Sequence, residues 1–401
     1  MDFDFTPEQQ AFADEVDRFL DEHDDPDVFD LTRENMAQIV DTPKRRAFMR
    51  TMGQRGFLGM TWPKEFGGTE GEGVYEYLLN ERLAGRGGPQ IGKGVGIIGK
   101  TLIAHGNDFL KQKFLPMILN NDVEFAVGYS EPNAGSDAAS MRLKAERAER
   151  DGQSGWVLNG QKTWTTSAHF AEWYWLGTRT DPNDKHRGIT LMLVPLDQPG
   201  VEIRAIWTMG DERTNEVFID DVFVPDEYVV GEVGRGFQYI SQALDLERFT
   251  MFTISPMQQR LDLLCDYVRD TVRDGKPLRD DPVIRQRLAR LMTEMEVARV
   301  LGLRVVDASM KAETVPGAPP PTVESSQYKL YATGLSQRLA DAAMDIGGPG
   351  SQLRVKTKDA PMEGRSESTY RYTVIDTIGG GASEIQKNVI ARRGLGLPKN
   401  F

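Results

Sequence analysis

Two stretches of this chain gather the side chains that could do chemistry. The first is Val127-Gly-Tyr-Ser-Glu-Pro-Asn-Ala-Gly-Ser-Asp137, and the second is Asn159-Gly-Gln-Lys-Thr-Trp-Thr-Thr-Ser167. Each sets small hydroxyls and turn-forming backbone N–H groups beside one large aromatic, Tyr129 or Trp164. A flat cofactor with polar edges needs that combination, an apolar face to stack on and donors around its rim. Segments of this kind must be delivered by strands, since a turn that presents several free N–H groups to a ligand has to be held rigidly at both ends.

In residue type and spacing the two stretches resemble the flavin loops of the acyl-CoA dehydrogenase family, Tyr-x-Ser/Thr-Glu-Pro-x-Ala-Gly-Ser-Asp and Asn-Gly-x-Lys-x-Trp-x-Thr. The resemblance runs nearly end to end. It implies an α+β architecture of three parts: an all-helical N-terminal domain over residues 1–122, a β-barrel domain over 123–232 that carries both loops, and a helical C-terminal domain over 233–401 built as a four-helix bundle. It further implies FAD as cofactor, with the isoalloxazine against Tyr129, Ser130, Trp164 and Thr166. Thr166 would approach N5, and Ser136 would lie where flavin and acyl chain meet.

The family oxidises an acyl thioester, which requires one carboxylate to take the α-proton and hydrogen bonds to the thioester oxygen as charge develops there. Many members place that carboxylate in a Tyr-Glu-Gly-Thr segment near the carboxyl terminus. Here the corresponding stretch reads Thr377-Ile-Gly-Gly-Gly-Ala-Ser-Glu-Ile-Gln386, with Gly380 in place of Glu. Isovaleryl-CoA and long-chain members carry the base instead in a Leu-Asp-x-Glu-Arg segment after the barrel, and this chain has Leu244-Asp-Leu-Glu-Arg248. The resemblance therefore assigns Glu247 as base, the backbone N–H of Gly380 to the thioester oxygen, Arg248 to the substrate side and Glu384 to the adenosine end of the flavin. Gly347-Gly-Pro-Gly350 resembles a turn that approaches the flavin diphosphate from a neighbouring subunit. A glycine in place of the bulkier Glu at 380 suits a branched, cyclic or steroid-like acyl group.

Composition narrows the remaining classes. The net charge of −12 argues against nucleic acid or an anionic membrane surface as partner. A single cysteine, Cys265, rules out an intrachain disulfide and a cysteine metal cluster. No apolar run approaches the roughly 20 residues that span a bilayer, and the acidic start Met1-Asp-Phe-Asp-Phe lacks the features of a leader, so a cytoplasmic protein without membrane insertion is expected. The four histidines, His23, His105, His169 and His186, form no H-E-x-x-H pair, and no G-x-S-x-G elbow is present.

Periodicity places the motifs. Thr6-Pro7-Glu8-Gln9 reads as a helix start. Helical spacing continues from Thr42 to Gly56, Gly73 to Leu83 and Asp108 to Leu119. Gly94-Val-Gly-Ile-Ile-Gly-Lys-Thr101 fits both the dinucleotide and the Walker A patterns, but a breaker-rich run precedes it where each needs a strand. It reads instead as an apolar helix packed closely through its glycines. Short β-rich runs at Trp156, Trp173–Leu176, Ile189–Val194, Val201–Ile206 and Glu216–Ile219 form the middle region, and Val222-Phe-Val-Pro225 marks the approach to helix again. Helices are then expected from Phe237 to about Val272, Asp281 to Ala312, Ser325 to Ile346 and Ser383 to Arg393, with Val315–Pro321 as a rigid surface loop.

One departure bears on assembly. Homotetrameric members meet each diphosphate with an Arg-x-x-Phe-Gly segment from another subunit, whereas this chain has Thr271-Val-Arg-Asp-Gly275. Either Arg273 compensates in a homo-oligomer, or a related chain supplies the missing groups in a mixed oligomer. The substrate carrier expected is CoA or an acyl carrier protein, and the resemblance implies an electron-transfer flavoprotein as acceptor. A degenerate subunit that binds without turnover is the reading of a different class.

Overall fold

The structure is a computed structural model that describes residues 4–32, 41–242 and 253–398. The chain divides into two compact units, one drawn from Met1–Gln38, Glu72–Gln90 and Arg248–Phe401, the other from Ile39–Gly71 and Ile91–Glu247.

In the first unit α1 (Pro7–Glu22) begins with a complete capping box. The Thr6 hydroxyl accepts from the Gln9 N–H at 3.2 Å and the Gln9 side chain accepts from the Thr6 N–H at 3.0 Å, so orphan donors at the helix start are satisfied. Its apolar stripe Ala13, Val16, Phe19 and Leu20 is buried, and Phe12 meets Tyr75 of α3 (Gly73–Gly85) edge-on with ring centroids 5.1 Å apart. Four further helices follow: α6 (Ser255–Asp270), α7 (Pro282–Thr314), α8 (Thr322–Gly347) and α9 (Arg365–Asp376). Leu261 and Leu264 of α6, Met295 of α7, and Leu335 and Leu339 of α8 lie in one core. Helix α9 was not expected from the sequence, because its mix of Ser, Thr, Tyr and Arg has only a weak apolar stripe. The last helical stretch, expected as one helix to Arg393, is α10 (Ser383–Val389) followed by a π-helical turn Ile390–Gly394. Of the helix expected from Phe237 to Val272, residues 236–242 and α6 are helical.

In the second unit α2 (Pro43–Gln54), α4 (Lys100–His105) and α5 (Asp108–Leu119) accompany a sheet. Thr42 and Asn107 cap α2 and α5 through their side-chain oxygens. The eight strands are β1 (Phe125–Gly128), β2 (Lys144–Arg150), β3 (Gln153–Lys162), β4 (Trp173–Arg179), β5 (Ile189–Pro195), β6 (Val201–Trp207), β7 (Arg213–Pro225) and β8 (Val229–Val230). Their order is β6-β7-β3-β2-β4-β5-β8, with β1 parallel to β4. Ala126, Leu158, Tyr174, Leu176, Met192 and Val217 fill the core on this sheet. Strand β2, Lys-Ala-Glu-Arg-Ala-Glu-Arg, gives no apolar alternation to read. Val222–Pro225 proves to be the second half of β7 rather than a separate lead into helix, pairing with Gly155–Leu158.

Residues Gly94–Gly99 form a π-helix that runs straight into α4, with no strand before it among the described residues. A Cβ at Gly99 would stand 2.1 Å from the Trp62 indole, so the glycine serves close packing, and the phosphate-loop geometry is absent from this segment.

Candidate active site

Both polar stretches belong to the sheet unit, and hydrogen bonds fix each one. Tyr129 and Ser130 continue β1, and the Ser130 carbonyl accepts from the Thr163 N–H at 3.0 Å, tying the first stretch to the second. Glu131 fastens the first from below. Its carboxylate takes the buried Lys162 ammonium at 2.8 Å and the N–H groups of Arg142 and Leu143 at 2.6 and 2.8 Å. Burial draws the Lys162 ammonium down to about 8 while the Glu131 charge resists that shift. The Tyr129 hydroxyl accepts from the indole N–H of buried Trp175 at 2.8 Å, which sets the ring's orientation. Ser136 is exposed at the far end of the loop.

The second stretch is pinned at Thr165. The Thr165 N–H donates to the Asn215 carbonyl at 2.9 Å, its own carbonyl accepts from Asn215 Nδ2 at 2.8 Å, and its hydroxyl meets the Tyr174 hydroxyl at 2.9 Å. Thr165 is fully buried. Its neighbours differ: Thr166 is half-buried, and Trp164 is 60% exposed with φ +57°. Ser167 also has positive φ, at +75°. Two non-glycine residues in the left-handed region within four positions carry strain of order 1–3 kcal/mol each, which persists only where the surroundings impose it. What that strain achieves is a large indole presented outward beside Thr166. Lys93 Nζ donates to the Thr166 carbonyl at 3.4 Å, and Asn215 Nδ2 also reaches His169 Nδ1 at 3.2 Å. Burial, and then Arg213, keep the His169 ring below its usual value.

Tyr129, Ser130, Trp164 and Thr166 are thus brought into one locked region of the sheet unit, and their types fit a flat cofactor with polar edges. Asn215 and Lys93 were missed in the sequence. An Asn inside the strand run Arg213–Pro225 is the signal that would have found the first, since a central strand rarely spares a buried amide without a job for it.

Gly347, Gly348, Gly380 and Glu384 lie in the helical unit. Helix α8 ends at Gly347, where a Cβ would stand 1.9 Å from Ser351 Oγ, and Gly348 follows with φ +69°. The Arg273 guanidinium donates to the Ile346 carbonyl at 2.5 Å and reaches within 3.5 Å of where a Cβ of Gly348 would be. Arg273 is brought there by a hairpin, β9 (Val272–Arg273) and β10 (Lys276–Pro277), whose turn residues Asp274 and Gly275 have φ +52° and +74°. Asp-Gly suits that turn, so Asp274 has a local structural reason.

Gly380 and Gly381 have φ +63° and +95°. Their carbonyls accept from Gln386 Nε2 at 3.2 and 2.9 Å, and buried Lys329 also donates to the Gly381 carbonyl. Glycine at 380 therefore answers a backbone need as well as removing a side chain. Glu384 is exposed in the first turn of α10. Lys329 stands 18 residues before Gly347 on α8, so the Gly380 loop and the Gly347 turn lie about 27 Å apart along that helix. Glu247 and Arg248 lie outside the described residues. Among the described residues, no group of three or more His, Cys, Asp or Glu is placed to hold a metal ion, and no helix is long and apolar enough to cross a membrane.

Comparison with known proteins extends these observations. The N-terminal, middle and C-terminal domain models of acyl-CoA dehydrogenase match residues 6–122, 126–222 and 234–395. Acyl-CoA dehydrogenase IpdE1 of Mycobacterium tuberculosis is 36% identical over 363 residues, 89% of each chain. Two solved structures are similar over the whole of both chains: a steroid acyl-CoA dehydrogenase, Tcur3481-Tcur3483, with 29% identity and TM-score 0.88, and the ChsE4-ChsE5 complex from Mycobacterium tuberculosis, with 30% identity and TM-score 0.87. With three domain models matched in order and a relative of this identity aligned over most of its length, the chain belongs to the acyl-CoA dehydrogenase family of flavin-dependent oxidoreductases.

Proposed function

We propose that this chain binds FAD and catalyses α,β-dehydrogenation of an acyl thioester, with Glu247 as the base. The observation that carries the reading is the segment Thr163–Ser167, where a buried, triply held Thr165 forces Trp164 outward in a strained backbone conformation. Trp164 and Tyr129 offer ring faces for stacking, and Ser130 and Thr166 offer hydroxyls and backbone groups at the rim. When bound, the flavin supplies the acceptor for the β-hydride. Glu247 takes the α-proton, and the Gly380 N–H orients and stabilises the thioester oxygen. Ser136 and Arg248 are assigned to the substrate side, and Glu384 to the adenosine end of the cofactor.

A branched, cyclic or steroid-like acyl group is the substrate class that Gly380 favours, and the similar Tcur3481-Tcur3483 protein is a steroid enzyme by its name. An acyl carrier protein is the alternative carrier, and an electron-transfer flavoprotein the proposed acceptor. Bleaching of the flavin absorbance by a panel of straight, branched and cyclic acyl-CoAs tests the reading. No bleaching with any CoA thioester, together with bleaching by a carrier-protein thioester, would transfer it to the carrier.

For assembly, the separation of the Gly347 turn from the Gly380 loop along α8 supports a turn that serves a neighbouring subunit's cofactor. Arg273 beside Gly348 supplies a cation there, which favours a homo-oligomer. The mixed alternative is favoured by the similar ChsE4-ChsE5 structure, which is a complex of two named chains. Expression of the chain alone, with solution mass and FAD per chain, separates them: a stable homotetramer with one FAD per chain excludes the mixed assembly.

A further inference from the structure

Among the described residues two lysines are buried, Lys162 in the sheet unit and Lys329 on α8. Taking an ammonium out of water is costly unless its donors are met. Lys162 pairs with Glu131 and also reaches the Tyr129 carbonyl at 3.3 Å, in the first polar stretch. Lys329 donates to the Gly381 carbonyl, 52 residues further along the chain. Each buried ammonium thus holds a backbone carbonyl in a segment assigned to the site.

The segment that Lys329 holds is a closed turn. The Ser383 N–H donates to the Thr377 carbonyl at 3.0 Å, and the Gly379 N–H to the Ile375 carbonyl at 2.9 Å. Gly380 and Gly381 within it have φ of +63° and +95°. Glycine enters that region without penalty and leaves it as easily, so a glycine pair has to be stiffened by its surroundings. Two buried side chains do this. Gln386 Nε2 donates to the Gly380 carbonyl at 3.2 Å and to the Gly381 carbonyl at 2.9 Å, and Lys329 adds a second donor to Gly381. The ammonium makes that bond charge-assisted, hence the stronger of the two. A peptide unit is planar and moves as one piece. With both carbonyls held and φ of Gly380 defined, the direction of the Gly380 N–H is set too.

We propose that Lys329 is a positioning residue for the thioester: by holding the Gly381 carbonyl from α8 it aims the Gly380 N–H at the thioester oxygen. This rests on the reading of the Gly380 N–H as donor to that oxygen, and Lys329 acts through it.

The test uses the FAD-loaded full chain in its native assembly and the thioester that bleaches the wild-type flavin, isotopically labelled at its thioester carbon. Lys329→Met keeps the apolar stem and removes the ammonium. Flavin reduction should slow about 10- to 100-fold, below the roughly 10²- to 10³-fold of losing an oxyanion donor outright, with FAD occupancy and thioester affinity near wild type. Dithionite-reduced enzyme cannot accept the hydride, so the labelled thioester stays intact on it. There the infrared carbonyl stretch of the bound thioester should rise towards the value of an unpolarised carbonyl, a change that a merely structural role for Lys329 would not produce. Deuterium uptake should increase in peptides covering residues 377–383. Should Lys329→Met fail to fold, Lys329→Gln, one atom too short for the same contact, is read in the same two ways. A carbonyl stretch that stays at the wild-type value overturns the inference, and the uptake then shows which part fails. Unchanged uptake means that Lys329 does not hold the turn, and the Gly380 assignment stands. Raised uptake means that the turn has moved without the thioester responding, which removes the Gly380 assignment itself.

Discussion

Asn215 grips Thr165 from two sides, its carbonyl accepting the Thr165 N–H at 2.9 Å and its side-chain amide donating to the Thr165 carbonyl at 2.8 Å. Both residues are fully buried. The grip is what allows Trp164 to adopt its strained φ of +57° and remain outward. Asn215→Ala should leave the Thr165 carbonyl without its donor, costing about 1–3 kcal/mol, and release the segment. The expected outcome is a lower melting temperature together with weaker FAD retention on gel filtration. Wild-type retention in this variant would show that the segment needs no such clamp.

Trp164→Ala and Thr166→Ala should part company. Removing the exposed indole takes away stacking surface and should lower FAD occupancy after purification. Removing the Thr166 hydroxyl should leave occupancy near wild type and slow reduction or shift the flavin potential, both read in anaerobic titration. Full occupancy and unchanged kinetics in both variants would dismiss the assignment of this stretch.

How far the sequence reveals this architecture depends on whether a residue's role is local. The Thr6 cap, the α5 stripe and the β5 apolar run are local, and each is read correctly from spacing alone. Tyr129, Ser130, Trp164 and Thr166 are legible as a set because both stretches keep their polar residues contiguous. Asn215 is not, since its importance comes from pairing with a residue fifty positions earlier. Helix α9 escapes because its stability comes from packing on α8 and hardly from its own apolar stripe. Strand β2 escapes for a different reason: Ala145 is its one buried side chain, leaving charged residues to dominate the pattern.

Burial of Glu124 sets the sign of a pH dependence. Burial raises its carboxyl to about 7, against the attraction of Arg46 and Lys93 and with the help of Glu172 and Asp41. The folded state therefore keeps a proton between pH 4.5 and 7 that the unfolded chain has lost. This group's contribution to stability falls as pH rises through that window and is constant above it. Glu124→Gln should flatten that part of the profile and stabilise the protein at pH 8 by about 1–3 kcal/mol. Denaturant titrations from pH 5 to 8 check it, and a destabilised variant at pH 8 would reverse the sign.

Arg273→Ala should loosen the cofactor without loosening the fold. The guanidinium beside Gly348 is the cation proposed above for a diphosphate. Loss of a charge-assisted contact is worth roughly 1.5 to 3 kcal/mol, or about 10- to 150-fold in affinity. FAD released on dilution, followed by its fluorescence, should rise, while the melting temperature of the FAD-free protein stays within about 1–2 °C of wild type. Equal retention in variant and wild type would indicate that another chain supplies the cation.

In the proposed reaction Glu247 removes the α-proton of a thioester held beside the flavin. Anaerobic mixing of FAD-loaded wild type and Glu247→Gln with an acyl-CoA that bleaches the wild-type flavin tests it most directly. A positioned base is typically worth about 10²- to 10⁴-fold, so the variant should keep its FAD, bind the acyl-CoA and show bleaching slowed by at least the lower of these factors. Bleaching of Glu247→Gln at the wild-type rate would contradict the account.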